Sequence, residues 1–163
     1  MRARRQMLRS GLLEFGIVCA RTCAALGLIG CTLLADVSLS AAMAATLRVT
    51  VSDIQPGAGN IRVALYADSE SFRHEDRATQ VLSTAATTGS VVVVFPDVPA
   101  GQYAVIAYHD ANDNKKLDLR LGMFPEEGWG LSNDPTVIGP PHFSASAFAV
   151  AEPSTDLIVR LNY

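Results

Sequence analysis

The sequence predicts an all-β domain, an antiparallel β-sandwich of about seven strands. Apolar and polar residues alternate along several short segments, which is the pattern of strands with one buried face. Clusters of Gly, Pro, Asn and Asp separate these segments and predict tight turns. No ten-residue stretch of the body has the 3.6-residue period of an amphipathic helix. The length of 163 residues and the apolar content of 49% suit one domain with its own core.

The individual strands follow from this alternation. The first is predicted over residues 46–52 and the second over residues 61–67, where Arg62 falls on the face opposite the core and is expected to be solvated. The remaining strands are predicted over residues 80–87, 90–95, 102–109, 146–150 and 155–161. The residues predicted to face the core are Leu47, Val49, Val51, Ile61, Val63, Leu65, Val105, Leu157 and Val159.

One segment interrupts this regular spacing. Residues 110–145 show no clear strand and are rich in Pro and Gly. Loops of this length are uncommon in compact domains and usually carry function. We therefore expect any functional site to lie in this long loop.

The first 44 residues predict a secretory signal peptide. Four arginines lie among the first nine residues, an apolar run covers residues 23–35, and residues 42–44 match the A-x-A cleavage pattern. The apolar run is 13 residues long, which is shorter than the ~20 that a membrane span needs. Residues 45–163 are thus expected to form the mature domain, exported to the periplasm or outside the cell, without an integral span. As an alternative, Cys31 ends a lipobox-like LIGC and would become a lipidated N-terminus.

Charge and cysteine content narrow the class of protein further. Residues 45–163 hold eight basic and fourteen acidic groups, a net charge of −6. An acidic body argues against binding to nucleic acid, which needs clustered Lys and Arg. All three cysteines precede residue 45, so the mature domain must be stable through its core without disulfides.

The start of the long loop has the ligand spacing of a calcium-binding loop. Oxygen-bearing side chains occupy its first, third, fifth and ninth positions, and the seventh offers a main-chain carbonyl. The candidate calcium ligands in this order are Asp110, Asn112, Asn114, Asp118 and, through its carbonyl, Lys116.

Two positions depart from the calcium-loop pattern. The sixth, usually Gly, is Lys115, and the twelfth, usually Glu, is Leu121. Either Glu126 or Glu127 could fold back to replace the missing carboxylate. The alternative interpretation is an Asx-rich turn, in which these side chains bond the local backbone and no metal is present.

Signals for catalysis are weak. The histidines lack the paired spacing of a zinc site, and the body has no G-x-S-x-G sequence and no cysteine nucleophile. Ser132 beside His109 or His142, or the adjacent Glu126 and Glu127, would be the groups of a hydrolytic site. The more ordinary expectation is a set of polar surface residues.

Four large side chains stand among the glycines and prolines of the long loop: Phe124, Trp129, His142 and Phe143. Aromatic residues in such a setting can line a groove for a sugar or a peptide. Alternatively, they fold back as a lid over the open end of the sandwich.

The body resembles the bacterial domain-of-unknown-function 2141 family over about residues 46–163. The resemblance rests on N-I-R-V-A-L-Y (60–66), F-x-D-V-P-A-G-Q-Y-A-V-I-A-Y-H-D (95–110), D-x-N-x-N-x-K-L-D (110–118), E-G-W-G-L-S-N-D (127–134) and G-P-P-H-F (139–143). It implies an exported protein with an immunoglobulin-like or prealbumin-like sandwich, and it supplies no catalytic residues. The family pattern tends to have Gly at the positions of Asp113 and Lys115, and Tyr at that of Trp129.

These observations together predict an exported, non-enzymatic binding or structural module that is stabilised by calcium through residues 110–118. The alternative is a small hydrolase or carbohydrate-acting enzyme that uses residues 110–143. A cleft in which titratable groups converge would favour the enzyme.

Overall fold

In the computed structural model of this chain, residues 44–163 are described. They form an all-β fold with one 3-10 turn, Glu75–Arg77, and one helical turn, α1, Phe143–Ser146. The strands are β1 (Ala44–Ile54), β2 (Asn60–Tyr66), β3 (Gln80–Ala85), β4 (Gly89–Pro99), β5 (Gly101–Asp110), β6 (Leu119–Arg120), β7 (Phe124–Pro125), β8 (Trp129–Leu131), β9 (Phe148–Val150) and β10 (Ser154–Arg160). The predicted signal peptide and the lipobox alternative at Cys31 lie outside the described residues, apart from Ala44.

The strands pair in three sheets. One has the order β10-β1-β4, and a larger one has the order β3-β2-β5-β8 with β9 also beside β5. Strands β6 and β7 pair only with each other. Pairing is antiparallel except between β1 and β10, which run parallel from Thr46↔Ser154 to Ser52↔Arg160. The prediction of a wholly antiparallel arrangement is therefore wrong at β10, because the chain passes from β9 in one sheet to β10 in the other and makes no hairpin there.

The two larger sheets share one hydrophobic core. Leu47 and Val49 of β1 and Ile61 and Val63 of β2 all belong to it and are fully buried. The other residues predicted to face the core are buried as well, except Leu157, which is half-buried and packs against the same cluster. Strict alternation along each strand predicts which residues face the core, because a one-residue slip would turn every apolar side chain outward.

The opposite face of the larger sheet is also covered, which the sequence did not predict. Tyr66 and Ala104 on this face pack with Phe72 from the segment after β2 and with Leu131 of β8. Val137 and Phe143 from the long loop lie against the same cluster. The face predicted to be solvated is thus a second, smaller apolar layer.

The long loop contains more regular structure than predicted. Strands β6, β7 and β8 lie within residues 110–145, and the turn α1 begins there and ends at Ser146. Strand β8 pairs with β5 through Ile106↔Leu131 and Tyr108↔Trp129. It spans only three residues, which is too short for alternation to show in the sequence. Within residues 44–163, no helix has both the length and the apolar character needed to cross a bilayer.

Candidate functional site

The candidate calcium loop begins at the end of β5. Asp110 is the last residue of that strand and is fully buried. Its carboxylate accepts N–H hydrogen bonds from Asn114 at 3.0 Å and from Lys115 at 2.9 Å. A buried carboxylate with two main-chain donors folds the following residues tightly around itself.

The other predicted side-chain ligands converge on one another. Asn112 donates from Nδ2 to Asp118 at 2.7 Å, and Asn114 donates from Nδ2 to both oxygens of Asp118 at 3.0 Å. The side-chain oxygens of the two asparagines accept main-chain N–H bonds from Asn114 and Lys116. The structure therefore links Asp110, Asn112, Asn114 and Asp118 in one hydrogen-bond network, which Lys116 joins through its N–H and not through its carbonyl. This network has the features of the predicted Asx-rich turn.

Glu127 holds the two ends of the loop together. One carboxylate oxygen accepts the N–H of Ala111 at 2.9 Å, and the other accepts the N–H of Asp118 at 3.1 Å. Glu126 has an exposed side chain, and its N–H donates to the carbonyl of Asp118 at 2.9 Å. Of the two glutamates that the sequence offered for the missing twelfth position, Glu127 is the one that folds back.

The backbone has the turn that the sixth position of a calcium loop requires. Lys115 has a φ of 63° and Asp113 a φ of 57°, both in the left-handed region that favours glycine. These are the two positions at which the resemblance noted in the sequence leads us to expect Gly. The loop thus adopts the glycine conformation without the glycines.

Residues at the start of β2 and in the turn before it contact the loop. Asn60 donates from Nδ2 to Asp113 at 3.0 Å. Gly59, with a φ of 100°, lies so close to the main chain of Asp110 and Ala111 that a Cβ atom would collide with it. The turn between β1 and β2 therefore packs against the first residues of the loop.

His109 connects the same region to the end of the chain. It is buried, and its ring nitrogens contact the Tyr163 hydroxyl and the Ala58 carbonyl, each at 3.0 Å. The Tyr163 ring lies directly over Gly128, where a side chain would collide with it. These contacts give His109 a structural role beside the loop.

No set of three His, Cys, Asp or Glu side chains within residues 44–163 is close enough to hold a metal ion by itself. Two of the four candidate side-chain ligands are asparagines, so a cation here would depend on amide and carbonyl oxygens as well. Such oxygens are ordinary ligands for Ca²⁺, which takes six to eight of them. The donor set fits calcium better than a metal that prefers nitrogen or sulfur.

The four residues of the predicted groove do not line one groove. Phe124 is exposed on β7, while Phe143 is half-buried with its ring 5.9 Å from that of Phe72. Trp129 lines a shallow depression of about 390 Å³, and His142 lines another of about 190 Å³. Both depressions are bordered by residues 135–137. The lid hypothesis describes Phe143 better than the groove hypothesis does.

The groups considered for hydrolysis are engaged separately. Ser132 is fully buried, accepts the N–H of Val105 at 2.9 Å and donates to the carbonyl of Ser146. His109 and Glu127 have the partners described above. Within residues 44–163 no hydrogen bond joins any two of Ser132, His109 and Glu127. The arrangement that would favour a hydrolase is not formed by these side chains.

A polar cluster on the second face of the larger sheet was missed from the sequence. Arg62 donates from Nε to the Tyr108 hydroxyl at 2.9 Å and pairs with the carboxylate of Glu75, and Tyr108 donates to Glu75 at 2.7 Å. Arg62 and Tyr108 are directly opposite in the β2–β5 register. Phe72, the one large apolar residue in an otherwise polar segment, was the signal that this segment covers the sheet.

Burial and these contacts shift the ionisation of the cluster. Burial, followed by the hydrogen bond to Glu75, raises the pKa of Tyr108 well above its ordinary value. Burial and the charges of Glu75 and Asp76 do the same to the pKa of Tyr66. Burial acts to lower the pKa of Arg62, but its bonds to Glu75 and Tyr108 outweigh this, so the pKa is raised. These shifts keep Arg62 protonated and the hydroxyls of Tyr66 and Tyr108 neutral.

The structure defines an all-β domain with a hydrogen-bonded polar loop at the end of β5. The chain belongs to a family described as "Uncharacterized protein conserved in bacteria (DUF2141)", which matches residues 49–158. This confirms the family resemblance found in the sequence. No curated protein and no solved structure matches the chain.

Proposed function

We propose that this chain is an exported, non-enzymatic binding or structural module whose domain, residues 45–163, is stabilised by calcium at the 110–118 loop. In this proposal the two larger sheets form an immunoglobulin-like or prealbumin-like sandwich, and the loop is a calcium-sensitive element at one end of β5. The observation that carries the proposal is the convergence of Asn112, Asn114 and Asp118 beside the buried carboxylate of Asp110.

The clamp by Glu127 supports the same proposal. A calcium loop needs a carboxylate in place of the twelfth-position Glu, and Glu127 already lies against both ends of this loop. On binding, the side-chain oxygens of Asn112 and Asn114 would turn toward the ion, and they would give up the bonds that they now accept from the main-chain N–H groups of Asn114 and Lys116. With two amide ligands the affinity should be in the weak extracellular range, ~10⁻⁴ to 10⁻³ M.

A thermal melt tests the calcium part of the proposal. A ligand that binds only the folded state stabilises it by about 2.7 kcal/mol at a concentration about one hundred times Kd. We expect calcium to raise the melting temperature by several degrees over chelator. Magnesium should do much less, because it demands octahedral geometry and gives up its waters reluctantly. A melting temperature unmoved by calcium, or moved equally by both ions, would contradict the proposal.

Two aspartates of the same loop provide a matched pair of variants. Asp118→Ala removes the carboxylate on which the two asparagines converge, so it should abolish the calcium shift. Asp113→Ala should leave most of it, because Asp113 at the fourth position bonds Asn60 outside the cluster. Equal calcium shifts in the two variants would show that the ion does not bind through Asp118.

The export part of the proposal has its own test. Strand β1 begins at Ala44, so removal of residues 1–44 would leave every strand of the described region present. Intact-mass analysis of the exported protein is expected to give a chain that starts at Ala45. A lipid-modified species starting at Cys31 would overturn this and favour the lipoprotein alternative.

A further inference from the structure

Strand β4 is an open edge of the sheet β10-β1-β4. Within residues 44–163 it pairs only with β1, so the main-chain N–H and C=O groups along its other side are available to a further strand. The side chains of Val92 and Val94 on this strand are 47% and 41% exposed. We propose that two copies of the chain associate through β4, which pairs antiparallel with the β4 of the second copy about a two-fold axis.

The central part of β4 lacks the features that keep an edge strand from pairing. Proteins protect such edges with lysine, proline, β-bulges or a covering segment. Residues 90–95 contain no charged residue and no proline, and their four valines favour an extended strand. The β1–β4 register shifts only outside this stretch, next to Gly89 and between Phe95 and Val98. The free edge is therefore regular over the length that another strand would pair with.

The side of the domain that contains this edge carries no charge. Strand β3, which is at the edge of the larger sheet, contacts β4. Residues 78–96, which include all of β3 and most of β4, hold no charged side chain, although residues 45–163 have a net charge of −6. Depletion of charged residues is typical of the centre of protein interfaces. Two acidic copies can therefore approach each other at this side without repulsion between like charges.

The main core is incompletely covered on the same side. Leu82 of β3, Ala86 after it and Val91 of β4 pack against this core but are only half-buried. Removal of such apolar surface from water favours association. A strand added beside β4 would place its own inward side chains next to Val91, so the core would continue across the new contact.

A second copy suits this edge because β4 is complementary to itself. In an antiparallel pair centred on Val93, Val92 lies opposite Val94 of the second copy. Val91 then lies opposite Phe95 on the inner face, so the inner and outer faces of the two sheets continue into each other. Cross-strand pairs of β-branched and aromatic residues stabilise antiparallel strands. Every pair near the centre of this contact is of that kind.

Pairing through β4 also closes the assembly. It joins two three-stranded sheets, β10-β1-β4, into one sheet whose outermost strands are both β10. Strand β10 carries the charged residues Asp156 and Arg160, whose side chains are 80% and 60% exposed. Charged side chains on an edge strand oppose the addition of a further strand. The contact therefore uses both free β4 edges and produces a dimer. This proposal goes beyond the calcium module and does not require the ion.

Sedimentation velocity of the full chain measures the association. The wild type should pass from monomer to dimer between about 1 μM and about 1 mM, the range expected of an interface at the small end of the usual size. Val92→Lys should raise the dissociation constant of the dimer by about tenfold or more, because a lysine on an edge strand opposes pairing. The matched control is Ile158→Lys on β10. Val92 and Ile158 both lie opposite Thr50 of β1, so they share one face of the sheet, and Ile158 is 67% exposed. The control should dimerise like the wild type.

Hydrogen exchange locates the contact, so that association through residues 1–43, which all variants share, cannot be mistaken for it. Alternate N–H groups along β4 bond to β1, and the others point away from it. Those of residues 90–95 that point away should exchange about tenfold or more slowly at high than at low protein concentration. The N–H groups on the outer side of β10 should exchange at the same rate at both concentrations.

Four results would overturn the proposal. The first is a wild type that stays monomeric over the whole concentration range. The second is association that leaves hydrogen exchange in β4 unchanged, and the third is equal weakening of the dimer by Val92→Lys and Ile158→Lys. The fourth is assembly beyond a dimer that Val92→Lys abolishes, because it would show that the β4 contact does not close about a two-fold axis.

Discussion

The guanidinium of Arg62 pairs with the carboxylate of Glu75 on a sheet face that the alternation pattern assigns to solvent. Their side chains are only 15% and 26% exposed. Tyr108 completes the cluster by bonding both partners. The polar segment after β2 is therefore fastened to the sheet by a shielded ion pair in addition to the packing of Phe72.

Replacing Arg62 by Ala should destabilise the domain by about 1.5–3 kcal/mol, because hydrogen bonds to charged groups are lost and Glu75 is left without its partner. The control is Arg48→Ala. Arg48 of β1 pairs with Asp156 of β10 at 3.4 Å in the other large sheet, but those side chains are 52% and 80% exposed, so the cost should be under about 0.5 kcal/mol. Urea unfolding measures both. Equal costs would show that the cluster adds nothing beyond a surface ion pair.

The sequence predicted the strands well and the second face of the larger sheet poorly. Period-two alternation identifies Val49 and Val63 as core residues because one buried face is enough to produce it. It assigns Arg62 to solvent for the same reason, since the pattern cannot show that a separate segment covers the other face. Phe72, shortly after β2, covers part of that face, and Val137 and Phe143 from the long loop cover more of it. The last two are far from β2 in sequence.

Tyr108 should make stability depend on alkaline pH. Burial and the bond to Glu75 raise its pKa in the folded state above the ordinary value of about 10. The folded state therefore keeps the proton longer than the unfolded state. The resulting stabilisation is complete below about pH 10 and is lost as the pH rises through the folded-state pKa.

Urea unfolding of the wild type and of Tyr108→Phe between about pH 8 and pH 11 measures this dependence. The variant should lose about 0.5–1.5 kcal/mol at the lower pH with its hydrogen bonds. Above about pH 10 its stability should fall less steeply than that of the wild type, by up to one proton or about 1.4 kcal/mol per pH unit. Parallel curves for the two proteins would contradict the assignment.

The sequence showed which residues of the candidate loop lie close together, but it left the choice between Glu126 and Glu127 open. The spacing of Asp110, Asn112, Asn114 and Asp118 is local, so the sequence shows it directly. The choice of Glu127 over Glu126 depends on the hairpin of β6 and β7, which returns the chain to the loop. The positions of the four large side chains of the long loop also could not be predicted from local spacing, because Trp129 and His142 border two adjoining depressions while Phe143 packs inward.

The two buried serines of this region, Ser132 and Ser146, should differ in their contribution to stability. Both are fully buried, but Ser132 bonds Val105 and Ser146, whereas the Oγ of Ser146 has no partner. Ser132→Ala leaves the buried N–H of Val105 unsatisfied and should cost about 1–3 kcal/mol. Ser146→Ala removes an unsatisfied hydroxyl and should be neutral or stabilising. Urea unfolding compares them, and a neutral Ser132→Ala would show that its hydroxyl is not structural.

A substitution at Lys115 tests whether the loop backbone is left-handed at its sixth position. A left-handed conformation costs a residue with a side chain roughly 1–2 kcal/mol, and glycine avoids this cost while losing more entropy on folding. With a φ of 63° at Lys115, Lys115→Gly should therefore leave stability unchanged or raise it by up to about 1 kcal/mol. It should also increase any calcium-induced rise in melting temperature, since the loop would no longer be strained at its sixth position.

Lys116 is the matched control, because it is outside the set of positive-φ residues of the described region. Lys116→Gly should cost about 0.5–1 kcal/mol of stability. Thermal melts with chelator and with calcium measure both effects. Equal destabilisation by the two glycines would mean that the left-handed turn at Lys115 is not the conformation of the loop in solution.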